Sequence, residues 1–411
     1  MTAGTQAAPD LAAAARLTVL AAASVHDPEA SVSPSLWTRV EPHYRALERL
    51  VAGVDGEVAA ALAAHGRGPG DRDRRARLET AVAAALAADP QRLREARRLL
   101  RLIAEFGRLL PHESETYRDT AFEPVEQQIQ RLLGAMRPRP VHRHDPHLVV
   151  VVSYRVAQAG TDRMRNLLCC LNALHATHDP DRVRIVAVEQ DDRPRTAELV
   201  GPLVDRYVFA PNPGLFNYAW GRNVGVRAAA TDAPVCLLDA DMVVGPEFVA
   251  QCVEALRDGA EALLPYDRLL YLDARSSATV VADVATGRGV SADGAGLRGY
   301  IMREIYGGAI VATRELFDRV GGQDERYRGW GDEDNEFYFM LRRNGVLRRS
   351  VGWLYHLDHA RPPMRDGTLR INRAAMAVPR SPGGEYGDPA RYSRPADPGT
   401  AHPPDEKDVV R

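Results

Sequence analysis

One stretch constrains this chain more than any other: Val235-Cys236-Leu237-Leu238-Asp239-Ala240-Asp241-Met242-Val243-Val244. An apolar run with no room for charge stops on two carboxylates one residue apart, then resumes. In an α/β fold this reads as a buried strand whose C-terminal end projects acid into the crevice where such sheets bind ligands. Two acids so close repel each other, and the arrangement becomes favourable when a divalent cation with oxygen ligands sits between them and a phosphate. The competing reading is a strand followed by an Asp-rich turn.

The rest of the chain is long enough to build around such a strand, since 411 residues allow two or three domains with real cores. Acidic and basic residues nearly cancel, 55 against 53, so no global field favours nucleic acid or an anionic membrane. Cys169, Cys170, Cys236 and Cys252 lie in or beside apolar segments and form no CxxC pair. They read as reduced core thiols of a cytoplasmic protein. The apolar run Leu17–Ala23 is short and no basic n-region precedes it, so the expectation is neither a secretory signal nor a transmembrane segment.

Residues 1–140 are rich in Ala, Arg, Leu and Glu and are expected to form a helical N-terminal region. Within it, Leu99, Ile103, Phe106 and Leu110 mark one buried helix face, with Arg94, Arg97, Arg98, Arg101 and Arg108 on the others. Gly66–Asp71 breaks the helices, and Met136–Pro140 closes the region as a short stiff linker. From His147 the texture changes. Leu148–Val152 is a continuous β-branched run ending at Ser153-Tyr154-Arg155; Val183–Val188 is a second, ending at Glu189-Gln190-Asp191-Asp192. Helical patterns separate these strands from a third at Arg206–Phe209 and from the Val235 strand. Strands alternating with helices imply a mostly parallel, Rossmann-like sheet flanked by helices.

Later, residues 273–300 are rich in Gly, Ala, Ser and Asp and read as a long binding loop. Gly307-Gly308 restarts regular structure. Trp330-Gly331-Asp332-Glu333-Asp334-Asn335-Glu336 is the densest acidic cluster and opens a helix, and Val351–His359 is strand-like with two histidines. Residues 362–411 are rich in Pro, Gly, Arg and Asp and are expected to be a disordered tail. Taken singly, each feature has a plain explanation. His356 and His359 suit a polar surface, the acids a helix N-terminus, the glycines a turn. Their joint order, a strand-end acid pair, a Gly-Gly strand start, an acid-rich helix start and a strand-end histidine, does not arise from independent accidents.

That order resembles the GT-A glycosyltransferases of the family 2 type from about Leu148 to His359. The second half is similar to the galactosyltransferase-like branch that includes the β-1,4-galactosyltransferases. The matching residues are Val188-Glu189-Gln190 with Phe216-Asn217 and Asn223-Val224-Gly225, then Leu238-Asp239-Ala240-Asp241, then Gly321-Gly322 followed by Trp330-Gly331-Asp332-Glu333-Asp334. The resemblance implies an α/β GT-A domain over 147–361, preceded by the helical region and followed by the tail. It implies a metal-dependent, inverting hexosyltransferase using a nucleotide-sugar donor, UDP first among them, with no nucleic-acid partner.

The residue roles it implies are these. Ser153, Tyr154, Arg155, Glu189, Asp191, Arg222 and Asn223 would hold the donor. Asp239, the first acid of a DXD motif, would touch the ribose or a metal-bound water, and Asp241 would bind the metal. His356 would be a further ligand, with His359 as the alternative, and imidazole beside carboxylate favours Mn²⁺ over Mg²⁺. Asp334 would be the base and Glu333 would orient the acceptor, with Gly308 and Trp330 lining its subsite. Asn335 stands where the galactosyltransferase-like pattern has a further acid, so the donor sugar does not carry over. The acceptor is open among saccharide, peptide and small molecule, and the helical region among acceptor positioning, carrier docking and a homo-oligomer interface. A nucleotidyltransferase and a non-catalytic carbohydrate-binding or scaffold protein are the competing functions.

Overall fold

The computed structural model describes residues 11–53, 56–117, 123–139, 144–156, 160–177, 180–360, 365–366 and 369–393. Two sheets organise the chain. Their strands are β1 (Leu109–Glu113), β2 (Leu148–Tyr154), β3 (Val183–Asp191), β4 (Arg206–Pro211), β5 (Val235–Asp239), β6 (Met242–Val243), β7 (Ala262–Leu264), β8 (Arg268–Leu272), β9 (Arg298–Arg303), β10 (Ala309–Ala312), β11 (Leu347–Arg349) and β12 (Trp353–His356). The larger sheet has the order β11-β7-β10-β5-β2-β3-β4, with β10 antiparallel to both its neighbours and the remaining pairs parallel. The smaller has the order β1-β9-β8-β12-β6.

β2 lies inside the larger sheet, between β5 and β3, and is buried along its whole length, the environment for which Val149–Val152 is suited. The helix Tyr218–Ala229 packs against β2 and β3. Asn217 starts it, its side-chain oxygen accepting from the Trp220 N–H at 2.9 Å. Gly225 allows the close approach: a Cβ there would overlap Val151 and come within 2.9 Å of Val188.

The N-terminal region is helical, with helices Leu11–Ala23, Pro34–Ala52, Gly56–Arg67, Arg72–Ala88 and Pro90–Phe106. The break expected at Gly66–Asp71 is narrower, since Gly66 and Arg67 still belong to the preceding helix, and Asp71 caps the next helix by accepting from the Arg74 N–H at 2.8 Å. Leu99 and Ile103 are buried as expected, but Phe106 is 75 % exposed because the helix ends there. The region also contributes β1, which pairs antiparallel with β9 and so joins the smaller sheet. Buried charges reinforce the joint. Arg298 on β9 pairs with Asp27, with Asp273 at 3.2 Å and with Glu113 of β1 at 3.7 Å, and Glu113 also takes Arg75 at 2.9 Å.

Residues 273–300 are not one long loop. Asp273 accepts from the Ser276 N–H at 2.7 Å and caps a helix, Ala274–Ala285, that buries Val280, Val281 and Val284; β9 follows from Arg298. The Ser- and Ala-rich composition concealed an amphipathic helix. Part of the expected tail is folded as well. Arg380 donates to the Val320 and Gly322 carbonyls at 2.8 and 2.6 Å, and the Tyr392 ring meets Trp220 edge-on at 4.8 Å. Residues 394–411 lie outside the described residues. Among the described residues the four cysteines are buried and unpaired, and no helix is long and apolar enough to cross a membrane.

Candidate active site

The acid pair falls where the chain leaves one sheet for the other. Asp239 is the last residue of β5, and Asp241 stands in the turn before β6. β6 pairs with β12 so that Met242 lies opposite His356. The Leu357 N–H donates to the Asp241 carbonyl at 3.0 Å, which draws the chain after β12 across the same turn. Asp241, His356 and His359 therefore converge, with one potential ligand atom from each lying within 4.8 Å of the others. His359 Nε2 is 2.8 Å from Asp241 Oδ2, and His356 Nε2 is 3.7 Å from Asp241 Oδ1. Both histidines, rather than one or the other, face this carboxylate.

Burial opposes ionisation of Asp241, but the nearby His356 charge and the hydrogen bond and charge of His359 outweigh it and hold the carboxyl well below the usual range. Burial likewise opposes charge on His359, and the Asp241 carboxylate overcomes it, raising the imidazole's pKa. Among the described residues, Asp241 Oδ1 is buried without a hydrogen-bond partner. A buried lone pair of this kind, with two imidazoles beside it, fits a divalent cation of borderline softness, and Mn²⁺ suits the mixed donor set better than Mg²⁺.

Asp239 faces elsewhere. The Arg222 guanidinium, 2 % exposed, pairs through Nη2 with Asp239 Oδ1 and through Nη1 with Asp334 Oδ1 at 2.9 Å. Gln323 Oε1 lies 3.4 Å from Nη1, and the guanidinium sits over the Tyr218 ring at 5.4 Å. One arginine thus ties the strand-end acid to the helix-opening acid. Burial pushes Asp239 up to about 7 and Glu333 up to about 8; Asp334 repels both and Arg222 opposes both shifts. Glu333 is buried and accepts from the Gly331 N–H at 3.1 Å. Asp334 stands against bare backbone, since a Cβ on Gly307 would come within 2.6 Å of its Oδ2.

The expected donor residues cluster at the C-terminal ends of β2 and β3, where several serve the scaffold. Ser153 Oγ accepts from Gln190 Nε2 at 2.9 Å, and the Tyr154 hydroxyl is 2.7 Å from Thr196 Oγ1. Arg155 donates to three carbonyls, those of Gln190, Gly214 and Asn212, at 2.7 to 2.8 Å. Glu189 is fully buried and accepts from the Arg195 and Thr196 backbone N–H groups and from the Thr196 and Tyr207 hydroxyls. Asp191 holds Arg195 Nε at 2.9 Å. Asn223 clamps the 323–325 segment, donating to Gln323 O at 2.8 Å and Glu325 Oε1 at 2.9 Å and accepting from the Gln323 N–H.

On the acceptor side, Trp330 is half-buried. Gly308 has φ +92°, and a Cβ there would meet Leu354 and Met242 at 3.2 Å, so backbone conformation and internal packing both favour glycine at this position. Sequence reasoning missed Tyr271, whose ring stacks on His356 at 4.0 Å, and Tyr218 beneath Arg222. The Tyr271 contact follows from the parallel β8/β12 register, which sets it opposite His356, and no local signal announces it.

An α/β domain with acids at its sheet's C-terminal edge, one faced by two histidines and the other tied through an arginine to a helix-opening carboxylate, defines the class of Rossmann-like folds whose ligands bind at that edge. Residues 149–270 match the model for glycosyl transferase family 2, and residues 298–360 match one described as the N-terminal domain of galactosyltransferase. Among curated proteins, the chain is 28 % identical over 184 residues to a chondroitin synthase of Escherichia coli, covering 38 % of this chain and 26 % of that protein. It is 25 % identical over 259 residues to a hyaluronan synthase of Pasteurella multocida, covering 56 % and 26 %. The chain thus spans about a quarter of the length of either relative. Similar solved structures include S. aureus TarS 1-349 (TM-score 0.36, 14 % identity, 51 % of this chain and 60 % of that one) and the catalytic domain of Drosophila beta1,4galactosyltransferase 7 in complex with xylobiose (TM-score 0.33, 20 % identity, 56 % and 78 %). Both matches support a GT-A glycosyltransferase of the family 2 type with a galactosyltransferase-like second half.

Proposed function

We propose that this chain is an inverting, metal-dependent hexosyltransferase that moves a sugar from a UDP-sugar to an acceptor hydroxyl. The observation that carries the reading is Arg222, which holds Asp239 and Asp334 on one buried guanidinium beside the Asp241–His356–His359 cluster. Both relatives are synthases of glycans by name, which supports sugar transfer as the reaction class.

Asp241, His356 and His359 would hold the cation. When bound, it would supply Lewis-acid stabilisation of the departing diphosphate. Asp334 takes the acceptor's hydroxyl proton, and Arg222 fixes the carboxylate so that one oxygen stays oriented over Gly307. Glu333, one residue earlier, orients the acceptor. Asp191, at the end of β3, would accept the N–H of a uracil ring. A single displacement with Asp334 as base inverts the anomeric centre.

The test is donor hydrolysis and transfer assayed across UDP-, GDP- and dTDP-sugars, with and without Mn²⁺. Asp334→Asn should retain donor and metal binding while transfer falls by about two to four orders of magnitude, the usual scale for a positioned base. An unchanged rate would remove Asp334 from the mechanism. Failure of every nucleotide sugar to turn over with any acceptor would remove the function.

A further inference from the structure

Residues after 360 lie beyond both family matches, yet a segment of them reaches the loop that precedes Glu333 and Asp334. That loop has an uncommon backbone: Gly329, Gly331 and Asp332 have φ of +65°, +115° and +72°. Glycine adopts such angles freely, but Asp332 carries a Cβ and holds them only where its surroundings impose them. Glu333 and Asp334 follow at once, so the direction in which both carboxylates leave the backbone is set here. Trp330 stands inside the same loop.

Asn372 supplies part of that constraint. It is buried, its side-chain oxygen accepts from the Arg328 N–H at 2.8 Å, and its side-chain nitrogen donates to the Gly331 carbonyl at 2.7 Å. One amide thus clasps the loop on both sides of Trp330. Gly331 is held again through its N–H, which donates to Glu333 Oε2 at 3.1 Å, so a shift of this residue is passed to the acid. An asparagine at the start of a helix usually caps that helix. Asn372 precedes the helix Arg373–Ala377 but makes no capping bond to it, and both its polar atoms go to the loop instead. Farther along, Arg380 donates to Glu336 Oε1 at 2.9 Å, so the same segment also grips the first turn of the helix that Glu333 opens.

We infer that Asn372 is a positioning residue for sugar transfer, fixing the loop 328–332 so that Trp330, Glu333 and Asp334 face the acceptor together. The inference rests on the roles proposed above for those three residues. Arg222 fixes the Asp334 carboxylate from one side, and Asn372 fixes the backbone that leads into it. The cation cluster stands on other elements, β12 with the segment after it and the turn before β6, so donor and metal binding are independent of the clasp.

The experiment compares the full native chain with Asn372→Ala and Asn372→Asp in two assays. The first is brief trypsin digestion read by mass spectrometry, since the bond after Arg328 is a tryptic site inside the loop. Asn372→Ala should be cut there about tenfold faster than the native chain, the scale of one or two lost hydrogen bonds, with cutting elsewhere unchanged. The second is hydrolysis of UDP-galactose and UDP-N-acetylglucosamine with Mn²⁺, water standing in for the acceptor hydroxyl. Asn372→Ala should leave the donor KM unchanged and lower kcat about a hundredfold, the scale on which a misplacement of about 1 Å acts. Asn372→Asp keeps the shape and the bond from Arg328, so it remains informative should the alanine variant unfold. Its kcat relative to the native chain should recover as the pH is lowered from about 8 to about 5.5, because a buried carboxyl protonates readily and then donates to Gly331 as the amide does.

Cutting after Arg328 no faster than in the native chain overturns the clasp. A raised donor KM with kcat unchanged overturns the positioning role, as does a loss of kcat in Asn372→Asp that lower pH leaves untouched. The two readings fail distinguishably. Absence of turnover of any nucleotide sugar by the native chain sinks the transferase assignment and the positioning role with it, whereas native turnover matched by both variants sinks the positioning role alone.

Discussion

Arg222→Met tests the central electrostatic arrangement, because it keeps most of the side chain's volume while deleting a buried cation that two carboxylates share. In the native chain Nη1 lies 2.9 Å from Asp334, Nη2 pairs with Asp239, and the group is 2 % exposed. Breaking a buried ion pair by removing one partner costs about 3–5 kcal/mol, mainly because the charge left behind has lost its compensation. That is a large share of the roughly 5–15 kcal/mol by which proteins are stable. The loss has a pH signature. Burial already pushes Asp239 up to about 7 and Glu333 up to about 8, with Arg222 opposing both. Without the guanidinium both rise further, so below pH 6 they are neutral and the missing cation matters less.

The assay is urea unfolding in a chelator, followed by tryptophan fluorescence, at pH 5.5 and pH 8.5. The midpoint of the variant should fall at both, and by clearly more at pH 8.5, with the dependence on urea unchanged. Arg222→Met/Asp239→Asn should recover part of the loss at pH 8.5, since the second change removes one stranded charge. A loss below about 1 kcal/mol, or an equal loss at the two pH values, would refute the view that Arg222 compensates these carboxylates.

Three further outcomes are expected. Glu333 binds its proton more tightly folded than unfolded, so its contribution is complete below the unfolded value near 4.5 and is lost as pH rises through about 8; Glu333→Gln should therefore be more stable than the native chain above pH 8 by at least about 1 kcal/mol, read by thermal unfolding across pH. Gly225→Ala should destabilise by about 1–3 kcal/mol through overlap with Val151, even though alanine is the better helix former by about 1 kcal/mol, and a more stable variant would show that the helix can move off β2. Asp241→Ala should abolish Mn²⁺-dependent donor binding in calorimetry, and undiminished affinity would take Asp241 out of the cation site.

What could be read from the sequence was whatever has a local signature. Val149–Val152 announces a central strand because both its faces are buried, and Asp239 and Asp241 announce a strand end because charge cannot continue into that core. The helix beginning at Glu333 is legible from its acids and its apolar spacing. The remainder depends on contacts between distant positions. Arg222 reaches Asp334 across 112 residues, so its sequence position before the Val235 strand suggested a donor contact rather than a bridge. The same holds for β1, which becomes a strand only by pairing with β9, nearly two hundred residues on. Arg155 stands at a strand end where a donor contact was expected, and nothing local shows that three backbone carbonyls take its guanidinium. Ala274–Ala285 was hidden for another reason: its small residues resemble a loop in composition, and only the burial of Val280, Val281 and Val284 makes it a helix.

The two acids of the pair, separated by Ala240 alone, end up serving different partners, and the seam between the sheets explains why. In a continuous strand, residues two apart point the same way. Here β5 ends at Asp239 and the chain turns before β6, so Asp239 keeps the orientation of the larger sheet and meets Arg222, while Asp241 takes that of the smaller and meets His356 and His359. The turn is held from both sides: the Asp239 N–H donates to the Gly308 carbonyl at 2.9 Å, and the Asp241 carbonyl accepts from the Leu357 N–H at 3.0 Å. Ala240 lies in one of several stretches where the chain crosses between the sheets, with 265–267, 304–308 and 350–352 among the others, so the spacing between the histidine cluster and Asp334 depends on how these crossings hold the two sheets together. The far edge of that smaller sheet is β1, anchored to the N-terminal helices through Glu113, Arg75 and Arg298. The helical region is thereby connected, strand by strand, to β12, the strand that carries His356.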